Sequence, residues 1–209
     1  MAQNSPARDS LRHAPDRAET ALLLIDVINP LDFAGGDNLL QQALPMARAL
    51  AAFKRRAKAA RVPAIYVNDN FGRWRSDFPK LVEQFLRPEV RGRPIVELLI
   101  PEDDDYFVLK PKHSAFFQTN LDILLRYLGV NSLILTGIAS DICVLFSAND
   151  AYMRDFKIIV PSDCTASEDA EHNRQVLMLM QRVLKARILF SSKIQFESAT
   201  AQARTDMTE

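Results

Sequence analysis

Apolar residues along this chain gather in six short, nearly uninterrupted runs. They are ALLLID at 21–26, AIYVND at 64–69, YFVLK at 106–110, SLILTG at 132–137, KIIVPSD at 157–163 and ARILFSS at 186–192. Runs this short, without polar alternation, suit strands covered on both faces, as in a parallel sheet. Between most of them the apolar spacing turns helical. Leu40, Leu44, Ala47, Leu50 and Ala51 share one face. Leu121, Leu124, Leu125 and Leu128 share another and stop at Gly129, a natural residue for a left-handed helix end. Val176, Leu179, Met180 and Val183 repeat the pattern late in the chain. Strands alternating with helices predict an α/β fold, here a three-layer α/β/α Rossmann-like sandwich with a six-stranded parallel sheet. A barrel of eight strand–helix units usually takes about 250 residues, and only six units are legible. Spacing leaves the strand order open.

The polar stretches at either end, 1–18 and 197–209, read as loose arms flanking one domain at 19–196. No internal repeat divides that domain. The interval 71–105 breaks the regular alternation with FGRWRSDFPKLVEQF, a short helix, and then RPEVRGRPIVELLIPEDDD, rich in proline and charge. An excursion of that length in a small domain is usually functional or a contact surface.

Lys plus Arg and Asp plus Glu number 26 each, so the chain has no bulk electrostatic reason to seek nucleic acid or an anionic membrane. Arg73, Arg75, Arg87, Arg91 and Arg93 form a local basic cluster that reads as a solvated loop. The first twenty residues carry no apolar signal region, and no run approaches the ~20 residues that span a bilayer. With two cysteines, Cys143 and Cys164, there is no disulfide framework. These features predict a cytoplasmic protein with reduced thiols.

In a parallel α/β sheet, ligands bind beyond the carboxyl ends of the strands. Three reactive side chains fall there: Asp26 closes the first run, Lys110 closes the third, and Cys143 sits just past the fourth. Taken singly they are a turn aspartate, a solvated lysine and a small buried hydrophobe. Together they make a nucleophile set. A free thiol has a pKa of ~8.5 and is a poor nucleophile at neutral pH. Ser140 or Asp141 as an N-cap would put Cys143 in a first helical turn, which favours an anion, and Lys110 would add a positive charge. Asp26 would then serve as the general base for the thiol proton. Cys164, in PSDCTAS, has no evident base and reads as structural.

ALLLIDVINPLDF, VLKPKHSAF and TGIASDICVLFSANDAYMRD together closely resemble the isochorismatase-like cysteine hydrolases, over roughly residues 20–192. The resemblance implies that Asp26, Lys110 and Cys143 are a catalytic triad. It also implies a cis peptide at Ile138–Ala139, an oxyanion hole from the N–H groups of Ala139 and Cys143, and a homodimer or homotetramer. No cofactor is implied. Nicotinamidases of this kind bind a metal through Asp-x-His; here VNDNFGRW puts Phe71 where the histidine would follow Asp69, so no metal is expected. Phe33, Asn70, Trp74 and His113 are the candidates for the substrate pocket, with packing roles as the alternative for each. Cys143 favours hydrolysis of a non-peptide C–N bond in a small amide, ureido compound or imide. Two other readings stay open: ether cleavage of the isochorismatase type with Asp26 as acid, and a thiol-based redox or electrophile response.

Overall fold

Each apolar run folds as a strand, and helices fill the intervals between most of them. In chain order the elements are β1 (Thr20–Ile25), α1 (Gly36–Ala59), β2 (Ala64–Asp69), α2 (Phe78–Phe85), α3 (Arg93–Leu98), β3 (Tyr106–Lys110), α4 (Leu121–Leu128), β4 (Ser132–Ile138), α5 (Leu145–Tyr152), β5 (Lys157–Pro161), β6 (Thr165–Ala166), α6 (Ala170–Val183) and β7 (Arg187–Leu189). The computed structural model describes residues 17–72 and 77–196. Most of the expected arms, together with Arg73, Trp74 and Arg75, therefore lies outside the described residues. Ala18 is already tied to the fold, its N–H donating to the Leu128 carbonyl at 2.7 Å. Among the described residues no helix is long and apolar enough to cross a membrane.

All strand pairs are parallel, in the order β3-β2-β1-β4-β5-β7. The sheet has one strand more than expected, because β6 pairs with the end of β4 through Gly137↔Thr165 and Ile138↔Ala166. Two residues are too few to show a strand period in sequence. Gly137 has a structural reason of its own: at φ 110° a Cβ there would collide with the Ile25 carbonyl of β1.

Side chains alternate across the sheet. Leu22, Leu24 and Tyr66 face α1, α2 and α3; Leu23, Ile25, Ile65, Val67 and Val108 face α4, α5 and α6. The inner face of α1 is Leu39, Ala43, Met46, Ala47, Leu50, Phe53 and Ala57, so the expected Ala47 and Leu50 lie on it while Leu40 and Ala51 only flank it. On α6, Leu177 is buried beside Val176 and Met180, whereas Leu179 and Val183 are exposed. The correction has one cause in both helices. Apolar spacing marks a helix, but it leaves the facing direction uncertain when apolar residues cover more than one stripe.

The 71–105 excursion contains the expected helix, α2, capped by Asp77 accepting from the Lys80 N–H at 3.0 Å. It also contains α3, hidden in a stretch that reads as proline and charge. Both pack on the α1 side through Phe78, Leu81, Phe85, Ile95 and Val96. At its far end Asp105, almost fully covered, pairs with buried Lys54 of α1, which also donates to the Tyr66 hydroxyl at 3.1 Å.

Candidate active site

The sheet has its seam between β1 and β4: β2 and β3 continue from β1, while β5 and β7 continue from β4. A crevice opens beyond the strand ends at such a switch point. Asp26 follows β1 there with φ 51°, a left-handed conformation that aspartate tolerates better than most residues. Its N–H still donates to Val67 of β2 at 2.9 Å, so the strand pairing holds it up to the turn.

The segment after Asp26 is clamped from the other face. Asn68, fully buried in β2, donates from Nδ2 to the Ile28 carbonyl at 2.5 Å and accepts the Ile28 N–H at 3.4 Å. One side chain thus satisfies both backbone groups of a residue two positions from Asp26. Asn68→Ala is expected to cost about 1–3 kcal/mol, because two buried polar groups lose their partner. Urea unfolding measures this; a loss under about 0.5 kcal/mol would sink the clamp.

Asp69 and Lys110 are register partners at the ends of β2 and β3, on the same face as Val67 and Val108. Lys110 is fully buried. Its ammonium lies 2.8 Å from Asp26 Oδ2, 3.6 Å from Cys143 Sγ and 3.8 Å from Asp69 Oδ2, and it donates to the Lys112 carbonyl at 3.1 Å. Asp26 is itself hydrogen-bonded to Cys143 and accepts the Asp69 N–H on Oδ1 at 2.7 Å. The Asp26, Lys110 and Cys143 side chains therefore meet at one point above the sheet.

Burial pushes the Asp26 carboxyl above its ordinary range, with Lys110 as the main influence pulling it back down. Lys110 is raised: the charges of Asp26 and Cys143 and its bond to Asp26 outweigh its burial. Burial, and then the charge of Asp26, push the Cys143 thiol up, against Lys110. This reverses the expectation of a thiol made acidic by a helix start and Lys110. Neither Ser140 nor Asp141 caps a helix here. Ser140–Val144 is a single π-helical turn, flanked by Ala139 without a side-chain cap. The Ser140 hydroxyl instead bonds Ser167 at 2.5 Å, and Ser167 donates to Asp141 at 2.7 Å. A thiol raised in this way needs a base to take its proton.

Two further ties fix the turn that carries Cys143. Ser147 Oγ donates to the Cys143 carbonyl at 2.7 Å and accepts the Ala115 N–H at 2.9 Å, joining α5 to the loop after Lys110. Ser114 binds Asp150 of α5 at 2.5 Å. The serine of the SAF motif thus ties the loop after β3 to α5. The Ile138–Ala139 bond is cis, and the Ala139 carbonyl accepts from the N–H groups of Ile142 and Val144 at 3.1 and 3.2 Å.

Of the pocket candidates, His113 is brought to Cys143, with Nδ1 3.8 Å from Sγ and its ring 5.4 Å from that of Phe146. Asn70 is buried and its side-chain oxygen is spent on its own turn, accepting the Gly72 N–H at 2.9 Å. Phe33 is an exposed residue of the loop before α1, its carbonyl bonded to Gly36 and Arg91 rather than to Asp26, Lys110 or Cys143. Trp74 lies outside the described residues. Sequence reasoning treated Asp69 only as half of a missing metal motif, although its place at a strand end was signal enough to include it. Cys164 is fully buried beneath α1, as a structural cysteine would be.

Comparison with known proteins follows the same lines. The isochorismatase domain model matches residues 20–188. An uncharacterized isochorismatase family protein of Bacillus subtilis, YaaI, is 42% identical over 178 residues, spanning 85% of this chain and 97% of the relative. The ureidoacrylate amidohydrolase RutB of an Enterobacter species is 31% identical over 191 residues, 77% of this chain and 80% of the relative. The crystal structure of N-carbamoylsarcosine amidase from Thermoplasma acidophilum superimposes with a TM-score of 0.61 at 26% identity, covering 85% of this chain and 99% of the other.

Proposed function

The chain belongs to the isochorismatase family of hydrolases, and from that premise we propose that it hydrolyses a non-peptide C–N bond in a small amide, ureido compound or imide through a Cys143 thioester. The observation that carries this reading is the meeting of a thiol, a carboxylate and a buried ammonium, the ammonium 2.8 Å from Asp26 and 3.6 Å from Cys143, with the thiol hydrogen-bonded to Asp26. A thiol attacking a carbonyl must lose its proton in the same step, and Asp26 stands at hydrogen-bond distance to take it.

In the proposed mechanism Cys143 Sγ adds to the scissile carbonyl as Asp26 accepts the thiol proton. The N–H groups of Ala139 and Cys143 receive the developing oxyanion. Asp26 then returns the proton to the departing amine, and a water activated by the same carboxylate cleaves the thioester. Lys110 keeps Asp26 ionised between steps and holds it against the sulfur. The amidohydrolase and amidase relatives support C–N chemistry. A thiol with a raised pKa, in contrast, is poorly suited to react unaided with peroxide or electrophiles, which weighs against the redox reading. Among the described residues no group of three His, Cys, Asp or Glu side chains is placed to hold a metal ion.

The test is a panel of small amides, ureido acids and cyclic imides, read by ammonia or amine release, with and without prolonged chelation. The expected result is turnover that chelation leaves unchanged, with an acyl mass increment on Cys143 in rapidly quenched samples. Turnover that persists without Cys143 would instead select ether-type or acid chemistry from Asp26.

A further inference from the structure

Asp69 is the site carboxylate for which this mechanism has no task. Its backbone N–H orients Asp26, and its Oδ1 accepts the Phe71 N–H at 2.6 Å. Its Oδ2 stands 3.8 Å from Lys110 Nζ, at ion-pair rather than hydrogen-bond distance, while the donors of that ammonium are directed to Asp26, Lys112 and Cys143. The side chain is 31% exposed, whereas those of Lys110 and Asp26 are 0% and 5% exposed. Of the three charged groups, Asp69 is thus the one that opens toward an incoming molecule with acceptor capacity left.

Its location limits what it could bind. Cys143 Sγ and Asp69 Oδ2 stand on the same ammonium, at 3.6 and 3.8 Å. Two groups on one ammonium can reach the same small substrate, so with a carbonyl carbon bonded to sulfur an atom beside that carbon can turn toward the carboxylate. A methylene there would place apolar hydrogens against a charged acceptor. An N–H would form a charge-assisted hydrogen bond.

Resting on the function proposed above, we infer that Asp69 is a specificity-determining residue that accepts an N–H on the side of the scissile carbonyl opposite the leaving nitrogen. The site therefore selects ureido substrates, with nitrogen on both sides of the carbonyl, over carboxamides with nitrogen on one. For such a substrate the steps balance as follows. Sγ bonds to the carbonyl carbon, the terminal C–N bond breaks, and that nitrogen leaves as ammonia with the proton held by Asp26. The remaining N–H, on Asp69, stays in the S-carbamoyl intermediate. Water then adds its oxygen to the carbon, the C–S bond breaks, and the thiol regains a proton. The product is a carbamic acid, which separates into carbon dioxide and an amine.

The experiment compares isosteric pairs on the full chain: butyramide against ethylurea, and succinamate against hydantoate, which differ only in a methylene replaced by N–H. Ureas are intrinsically less electrophilic, so the quantity to read is the change in the urea-to-amide ratio of kcat/KM on substitution. Asp69→Ala is expected to lower that ratio by about ten- to a hundredfold, the worth of a hydrogen bond to a charged group. Asp69→Asn, which keeps a neutral acceptor, should fall between and guards against a folding defect in the alanine variant. A ratio unchanged in both variants would overturn the role of Asp69 and leave C–N hydrolysis standing. A wild-type enzyme that releases ammonia from neither series would overturn the hydrolytic reading itself.

Discussion

Cys143→Ala is expected to lower hydrolysis by about ten-thousandfold or more, Asp26→Asn nearly as much, and the double variant hardly further. The non-additivity is the informative part. In the proposed mechanism sulfur and carboxylate share one proton, so once either is gone the other has no step left to perform. Burial is the largest cause that raises the Cys143 thiol, and it persists in Asp26→Asn, where no carboxylate is left to take the proton as sulfur attacks. Asn at position 26 retains shape and still accepts the Asp69 N–H, which keeps the turn in place and separates chemistry from folding. Steady-state kinetics and unfolding curves on the three variants measure both. Losses that simply multiply would show that the two residues act independently and would remove the shared-proton mechanism.

The fold class and the chemistry at the strand ends were legible for the same reason. A strand buried on both faces must be apolar, so a charged residue that closes such a run, as Asp26 and Lys110 do, sits at the sheet edge by necessity. What could not be read depends on contacts between distant segments. Asn68 looks like an ordinary polar residue until β2 lies beside the loop after β1. Ser114 and Ser147 acquire their meaning only when the loop after β3 meets α5. The acidity of Cys143 was misjudged because a helix start nearby in sequence was credited, while the surrounding burial was invisible. The strand β6 was missed because two residues carry no periodicity. Asp69 was placed at its strand end and then considered only as a metal ligand, although register with Lys110 puts it at the site whether or not a metal is bound.

Lys110→Met tests the electrostatic balance most directly, because it removes the charge while keeping most of the buried volume. Asp26 is already raised by burial, and Lys110 is the largest influence holding it down. Without the ammonium its carboxyl rises further, so in the folded variant Asp26 holds its proton at pH values where the wild type has ionised. Catalysis should therefore collapse at neutral pH and recover in part as pH increases, with the acid limb of kcat/KM displaced upward from that of wild type. Stability follows from the same shift. A carboxyl whose folded pKa exceeds its unfolded value of about 3.9 leaves stability intact below that value and drains it as pH rises toward the folded one. The drain continues to higher pH in the variant than in the wild type, so the variant's deficit should grow between about pH 5 and about pH 8. At the upper end it should approach the roughly 3–5 kcal/mol typical of breaking a buried pair. Urea unfolding at the two pH values, beside a pH profile of activity, measures both effects. A deficit that is the same at both, or an acid limb that does not move, would mean that Lys110 serves only to fill space.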